Sequence, residues 1–207
     1  MLKIYGSRGS SNADKVEFTA ILLGMKYEYQ TVDIQKDSKT EWYMEIHPAG
    51  KVPAIDDDGF IMFESVAICK YLCDKKGGDK GTDLYPRDLK QRALIDQWID
   101  FTIQHVASAM GKIAYAKIFG PMMGKPVDEN GMKEGNELLK RFLPIVDKQV
   151  GKSNFLASGK LTLADVVLFA SLTYADKVQY DLSPYKNLTA WRKKLMEMDF
   201  YKKVHGK

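Results

Sequence analysis

Two short segments of this chain could together hold a small peptide. In Lys51-Val52-Pro53-Ala54-Ile55 a proline opens an apolar run that reads as a strand, where its missing N–H would ordinarily be a defect. A cis bond at Val52-Pro53 resolves this. It turns the chain sharply and leaves the N–H and C=O of Val52 facing out, able to pair with an extended peptide as an added strand does. Further on, Glu64-Ser65 opens a helix. The free N–H groups and partial positive charge of a helix start, with the Ser65 hydroxyl, suit a carboxylate, and Glu64 offers the opposite charge to an ammonium.

These segments need a frame. Asp56-Asp57-Asp58-Gly59 marks a tight turn, after which residues 60–63 return as a second strand, making a hairpin that ends directly at Glu64. Upstream, residues 2–5 read as a strand, 13–23 as a helix closed by Gly24, 27–32 as a second strand, and 40–46 as a short helix stopped by His47-Pro48. A helix over 65 to about 75 follows the hairpin. Strands alternating with helices predict a parallel pair joined by a crossover, and the hairpin adds antiparallel strands, so residues 1–76 form a small mixed sheet with helices packed on it.

Residues 77–87 begin with the glycine-rich Gly77-Gly78-Asp79-Lys80-Gly81 and read as a linker; residues 88–207 then read as all-helical. The first long helix of that part carries two apolar stripes, Leu94, Trp98, Phe101 and Ile95, Ile99, Val106, and is expected to be covered on two sides. Further helices fit 132–150, 163–177 and about 188–198. In Leu161-Thr162-Leu163-Ala164-Asp165 the spacing predicts a capping box, with Thr162 and Asp165 bonding each other's backbone at the start of a buried helix, in preference to a catalytic carboxylate.

Charge narrows the partners. The net charge of +4 comes from 31 basic and 27 acidic residues spread along the chain, its densest basic patch being Lys202-Lys203, which does not suggest a nucleic-acid surface. No apolar run is long enough to span a bilayer, and strand-like residues beginning at Leu2 leave no room for a leader, so a cytoplasmic protein is expected. The only cysteines, Cys69 and Cys73, sit one helical turn apart with no histidine beside them; they read as reduced, partly buried thiols, and no metal site is expected.

A mixed domain with a Val-Pro turn and Glu-Ser helix start, a helical domain behind it and a Thr-x-x-Asp cap together resemble the soluble glutathione transferases, most of all the serine-type (theta- and phi-like) members. The resemblance covers essentially the whole chain through Gly50-Lys51-Val52-Pro53-Ala54, Phe63-Glu64-Ser65-Val66-Ala67-Ile68, Leu84-Tyr85-Pro86-Arg87-Asp88 and residues 161–165. It implies a thioredoxin-like first domain with the cis Pro53, an all-helical second domain carrying the electrophile pocket, and glutathione as a co-substrate with no other cofactor. It further implies that Val52 pairs with the cysteinyl unit, that Glu64 and Ser65 hold the γ-glutamyl end, and that Lys51 and Lys39 reach the glycine carboxylate. His47 reads as part of the turn.

Glutathione attacks as the thiolate, and an ordinary thiol pKa of about 8.5 leaves most of it protonated at neutral pH. The loop before the first helix offers Ser7, Ser10, Ser11 and Asn12 as donors, and Tyr5 stands where another group of these enzymes carries a phenol. In serine-type members the donor precedes a basic residue by four positions. Lys15 fits that place, which ranks Ser11 first, ahead of Ser10 and Asn12. The second substrate is expected at the middle of the long helix, against His105, Ser108, Lys112 and Tyr115, in a pocket left open because no extra C-terminal helix is expected to lid it. The expected activity is conjugation of glutathione to hydrophobic electrophiles, with reduction of peroxides as a side activity of the same site, by a homodimer that binds neither membrane nor nucleic acid. The alternatives are a non-catalytic domain like that of the elongation-factor gamma subunit, and a glutathione-dependent disulfide reductase.

Overall fold

The computed structural model describes residues 1–206. In the first unit, β1 (Leu2–Gly6) leads through α1 (Ser11–Leu22) to β2 (Tyr27–Thr31), which lies parallel to β1. Then α2 (Glu41–Ile46) leads to β3 (Ala54–Asp57), β4 (Phe60–Phe63) and α3 (Ser65–Lys76). The sheet order is β2-β1-β3-β4, with the last two strands antiparallel to their neighbours. The expected mixed sheet is therefore present, with element ends within a few residues of the sequence reading.

Alternation along the strands explains the layering. Tyr5 and Ala54 face Val32 and Tyr43 on one side of the sheet, where α2 lies. Their neighbours Ile4 and Ile55, both wholly buried, turn to the other side, where α1 and α3 pack on each other. Gly24, at φ 65°, closes α1 as expected, its N–H reaching the Ile21 carbonyl at 2.9 Å.

Residues expected to form a plain linker instead include α4 (Gly78–Leu84), packed on α3. Glycine is a poor helix former, but Gly81 lets the two helices touch: a Cβ there would lie 2.4 Å from the Cys73 carbonyl oxygen. The second unit, Asp88–Met198, is all-helical. Its leading helix is not uniform. After α5 (Leu89–Phe101) come a π segment (Thr102–Ala107), α6 (Ser108–Ala114), a second π segment (Tyr115–Phe119) and a single turn, α7 (Gly120–Met122). Ile95, Ile99 and Val106 are buried as expected, but the other stripe is only partly covered by the described residues: Leu94 is 49% exposed and Trp98 and Phe101 are half-buried.

The long helix α8 (Glu129–Ser153) packs on α6, and α9 (Leu163–Ser171) is buried at every position. The helix expected over 163–177 breaks, with α10 (Tyr174–Lys177) as a separate turn, before α11 (Lys186–Met196). The expected cap is present: Asp165 Oδ2 accepts the Thr162 N–H and hydroxyl, both at 2.9 Å, while Oδ1 accepts from Leu156 N at 2.7 Å and Trp191 Nε1 at 3.2 Å. Burial pushes this carboxyl up to about 6 against the pull of its four donors. It is a structural hub. The C-terminal residues form a further helix, α12 (Asp199–His205), which belongs with the first unit and packs on α1.

Candidate functional site

Strand register gathers the chemistry. Tyr5 of β1 pairs with Ala54 of β3, and Ala54 with Phe63 of β4. The next residues outward are Gly6, Pro53 and Glu64. The loop 7–10 with the first turn of α1, the Val52-Pro53 bond and the start of α3 therefore emerge at one end of one sheet.

The Val52-Pro53 bond is cis. Val52 lies just outside the β3 ladder, and among the described residues no turn or loop backbone hydrogen bond ends on it. Tyr43 holds the residue beside it. This wholly buried side chain donates its hydroxyl to the Lys51 carbonyl at 2.7 Å, pinning the turn from α2. Gly50 is required twice over, by its φ of 58° and because a Cβ would lie 2.4 Å from the Ser38 carbonyl oxygen. That contact sets Lys39 and Lys51, the residues next along, on neighbouring backbone; both are exposed. His47 is buried, its Nδ1 accepts the Ala49 N–H at 3.3 Å, and its ring lies 4.8 Å from that of Phe63. Burial depresses its pKa, and its contacts are those of a turn residue.

Glu64 caps α3 with φ 73° and ψ 105°, a conformation that costs a non-glycine residue on the order of 1–3 kcal/mol. Its carbonyl takes the Ile68 N–H at 2.9 Å, so the N–H groups of residues 65–67 are the ones helix geometry leaves open. The exposed Glu64 carboxylate and half-buried Ser65 stand directly at those donors. Sequence identified both residues but gave no sign of the backbone conformation at Glu64, because glutamate is not a residue type that advertises a positive φ.

The three candidate thiol donors differ in environment. Ser10 is the N-cap of α1 and half-buried; its Oγ accepts the Ala13 N–H at 3.4 Å, which leaves its own proton available to donate. Ser11 is 8% exposed. Asn12 is exposed, and its Oδ1 accepts from Lys15 Nζ at 2.7 Å. Lys15 is 1% exposed, and burial pulls its ammonium down to about 8 against the opposing charge of Glu64. The spacing that ranked Ser11 first rested on Lys15, whose ammonium bonds Asn12. Tyr5, packed edge-on to Tyr43 at 6.4 Å and only 7% exposed, is a core residue.

Comparison with known proteins places this geometry. Residues 4–80 match the family model for the glutathione S-transferase N-terminal domain, and residues 110–199 that for the C-terminal domain. A probable glutathione S-transferase, GSTF2, of Oryza sativa subsp. japonica is 30% identical over 98% of this chain and 95% of its own length. The chain belongs to the glutathione S-transferase family. Among solved structures, glutathione transferase F2 from Populus trichocarpa superposes with a TM-score of 0.89 at 30% identity, covering 99% of this chain and 97% of its own. A delta-class glutathione transferase of Nilaparvata lugens reaches 0.86 at 33% identity, covering 99% and 92%.

In the helical unit of this transferase, the residues expected to form the second-substrate wall are spread over the irregular helix. His105 lies in the first π segment, its ring stacked on Phe142 of α8 at 4.3 Å. Lys112 reaches Glu134 of α8 at 3.0 Å, so both side chains engage α8. Ser108 is exposed. Tyr115 begins the second π segment, and its hydroxyl accepts from Lys125 at 3.0 Å. A cavity of about 310 Å³ in the same unit is lined by Ile113, Lys117, Lys140, Val178 and Tyr180 among others, and by none of the four. Sequence gave no signal for the π segments, which change which side chains share a face.

Proposed function

We propose that this transferase joins the thiolate of glutathione to hydrophobic electrophiles, through a peptide site built on residues 1–76 and a second-substrate pocket in the helical unit that follows 77–87. The observation that carries it is the pairing of Tyr5 with Ala54 and Ala54 with Phe63, which brings donor loop, cis turn and helix start to one sheet end. In this reading the cysteinyl backbone pairs with Val52, the γ-glutamyl carboxylate meets Ser65 and the α3 N–H groups, its ammonium meets Glu64, and Lys39 and Lys51 take the glycine carboxylate. The thiol then falls at the start of α1. There the accessible hydroxyl is that of Ser10, which we assign as the donor in place of the more buried Ser11.

The chemistry asked of the loop is modest. Lowering a thiol pKa by two units needs about 2.7 kcal/mol of preference for the anion, which a hydroxyl and a helix N-terminus supply. The thiol proton leaves to solvent, the sulfur lone pair forms the bond to the electrophilic carbon, and the leaving group departs with its electrons. His105, Ser108, Lys112 and Tyr115 remain the proposed wall of the pocket, and glutathione is a co-substrate. Two buried thiols without a disulfide, Cys69 and Cys73, support a cytoplasmic setting. The enzyme is proposed to work as a homodimer.

Turnover of an aromatic halide and of an organic hydroperoxide with glutathione tests the assignment. Ser10→Ala is expected to lose tenfold or more in turnover, about 1.4 kcal/mol, and Ser11→Ala less than threefold. The opposite order would return the role to Ser11. A wild-type protein that binds glutathione and turns over neither substrate would sink the enzymatic reading.

A further inference from the structure

Lys15 is the least expected side chain in the first unit. An ammonium costs several kcal/mol to remove from water unless partners compensate, yet Lys15 keeps 1% of its surface. Its backbone is fixed from two sides, the carbonyl taking the Thr19 hydroxyl at 2.7 Å and Cys69 Sγ at 3.4 Å. Its ammonium donates to Asn12 Oδ1 at 2.7 Å, and the Glu64 carboxylate at the start of α3 favours its charge; the Cys69 thiol beside its backbone is held neutral by burial, which pushes it up to about 11.

The bond to Asn12 has a directional consequence. An ammonium can only donate, so it fixes which edge of the Asn12 amide faces inward: Oδ1 toward Lys15, and the Nδ2 hydrogens away from it. Asn12 is exposed and sits in the first turn of α1, beside Ser10. A cation on the amide oxygen also polarises the amide and strengthens its N–H donors.

From this we infer that Lys15 is a positioning residue of the thiolate site: it locks and polarises the Asn12 amide so that Nδ2–H becomes a second donor, beside the Ser10 hydroxyl, to the sulfur of bound glutathione. This rests on the proposed glutathione site and specifies how the site stabilises charge. Asn12 acts on the sulfur; Lys15 acts through Asn12.

Replacement of Lys15 is expected to leave the fold in place. Its ammonium, ordinarily near 10.5, is held at about 8, so the cost of burying charge is present in full below pH 8 and is relieved as pH rises from there toward 10.5. A neutral, similarly shaped methionine removes that cost at neutral pH.

The decisive measurement is a pH titration of the ultraviolet absorbance of the thiolate in the glutathione complex, with no electrophile present. Lys15→Met is expected to raise the pH at which the bound thiol ionises by about one unit, a tenfold change in the ionisation constant. Transfer should fall about tenfold at neutral pH and recover at alkaline pH, where the thiol ionises unaided. Lys15→Arg should retain most of the wild-type titration, Asn12→Ala should reproduce the Lys15→Met shift, and the double variant should add nothing further. A folded Lys15→Met protein with an unshifted titration overturns the inference, as do additive shifts in the double variant. Should Lys15→Met fail to fold, an unshifted Asn12→Ala titration overturns it instead. Calorimetry of wild type with glutathione separates the two levels: no binding removes the site itself, whereas binding with unshifted variants removes only the role of Lys15 and Asn12.

Discussion

Glu64 combines a strained backbone with an exposed carboxylate, and the two can be separated. At φ 73° and ψ 105° glycine sits without penalty while alanine is as strained as glutamate. Glu64→Gly should therefore relieve the strain, a gain partly offset by the greater freedom glycine gives the unfolded chain, for a net change between zero and about +1 kcal/mol in urea unfolding. Glu64→Ala should leave stability within about 0.5 kcal/mol of wild type, since the charge it removes is exposed. Both variants should bind glutathione at least tenfold more weakly by calorimetry. A Glu64→Gly protein that is clearly less stable would show that the conformation is not strained, and undiminished affinity in both would take Glu64 out of the site. Together with the buried Lys15, Glu64 breaks a local rule of protein construction at the place where function is proposed, as expected where binding and not stability sets the residue.

Among the elements, α12 is the one whose sequence conceals its role. Read alone, the end of the chain is a basic tail. In the fold Phe200 is 2% exposed and its ring meets Phe18 of α1 edge-on at 5.0 Å, with Tyr201 and His205 also against Phe18. His205 Nε2 lies 3.1 Å from Asp14 Oδ2, in the first turn of α1. The helix thus braces the element that presents Ser10 and Asn12. Phe200→Ala should cost about 3 kcal/mol in urea unfolding and expose the last helix to limited proteolysis; a midpoint unchanged within error would mean that α12 docks without contributing. Such tertiary support explains what sequence could and could not reveal. The strands, α1, α3 and the Thr162–Asp165 cap follow from periodicity, turn residues and capping chemistry, which act within a few residues. By contrast α4 depends on Gly81 meeting a carbonyl of α3, and the π segments have no residue signature. In the site, Val52-Pro53 and Glu64-Ser65 were legible because proline and a helix start leave marks in sequence. The brace from Tyr43 to the Lys51 carbonyl and the burial of Lys15 were not, since the first depends on how α2 packs against the turn that follows it and the second on packing alone.

At the scale of the whole molecule, the described residues leave two apolar strips exposed. On β4, an edge strand, Phe60 is 52%, Ile61 44% and Phe63 42% exposed; on α5, Leu94 is 49% exposed. An edge strand carrying large apolar side chains is a surface that soluble proteins ordinarily cover or charge. In the proposed homodimer a second copy of the chain would supply that cover. Wild type should therefore sediment as a dimer at micromolar concentration, and Ile61→Lys should weaken association by at least tenfold, because it both forfeits an isoleucine burial of about 1.5–3 kcal/mol and would bury an unpaired ammonium. Ile61 pairs with Asp56 in the middle of the hairpin, away from the end that carries Val52 and Glu64. The variant should accordingly keep its circular dichroism and its glutathione affinity as a monomer. A wild type that sediments as a monomer at that concentration would remove the dimer from the proposed function. An Ile61→Lys protein that dimerises as tightly as wild type would instead place the interface elsewhere, and the α5 strip, probed by Leu94→Lys, would be the surface to test next.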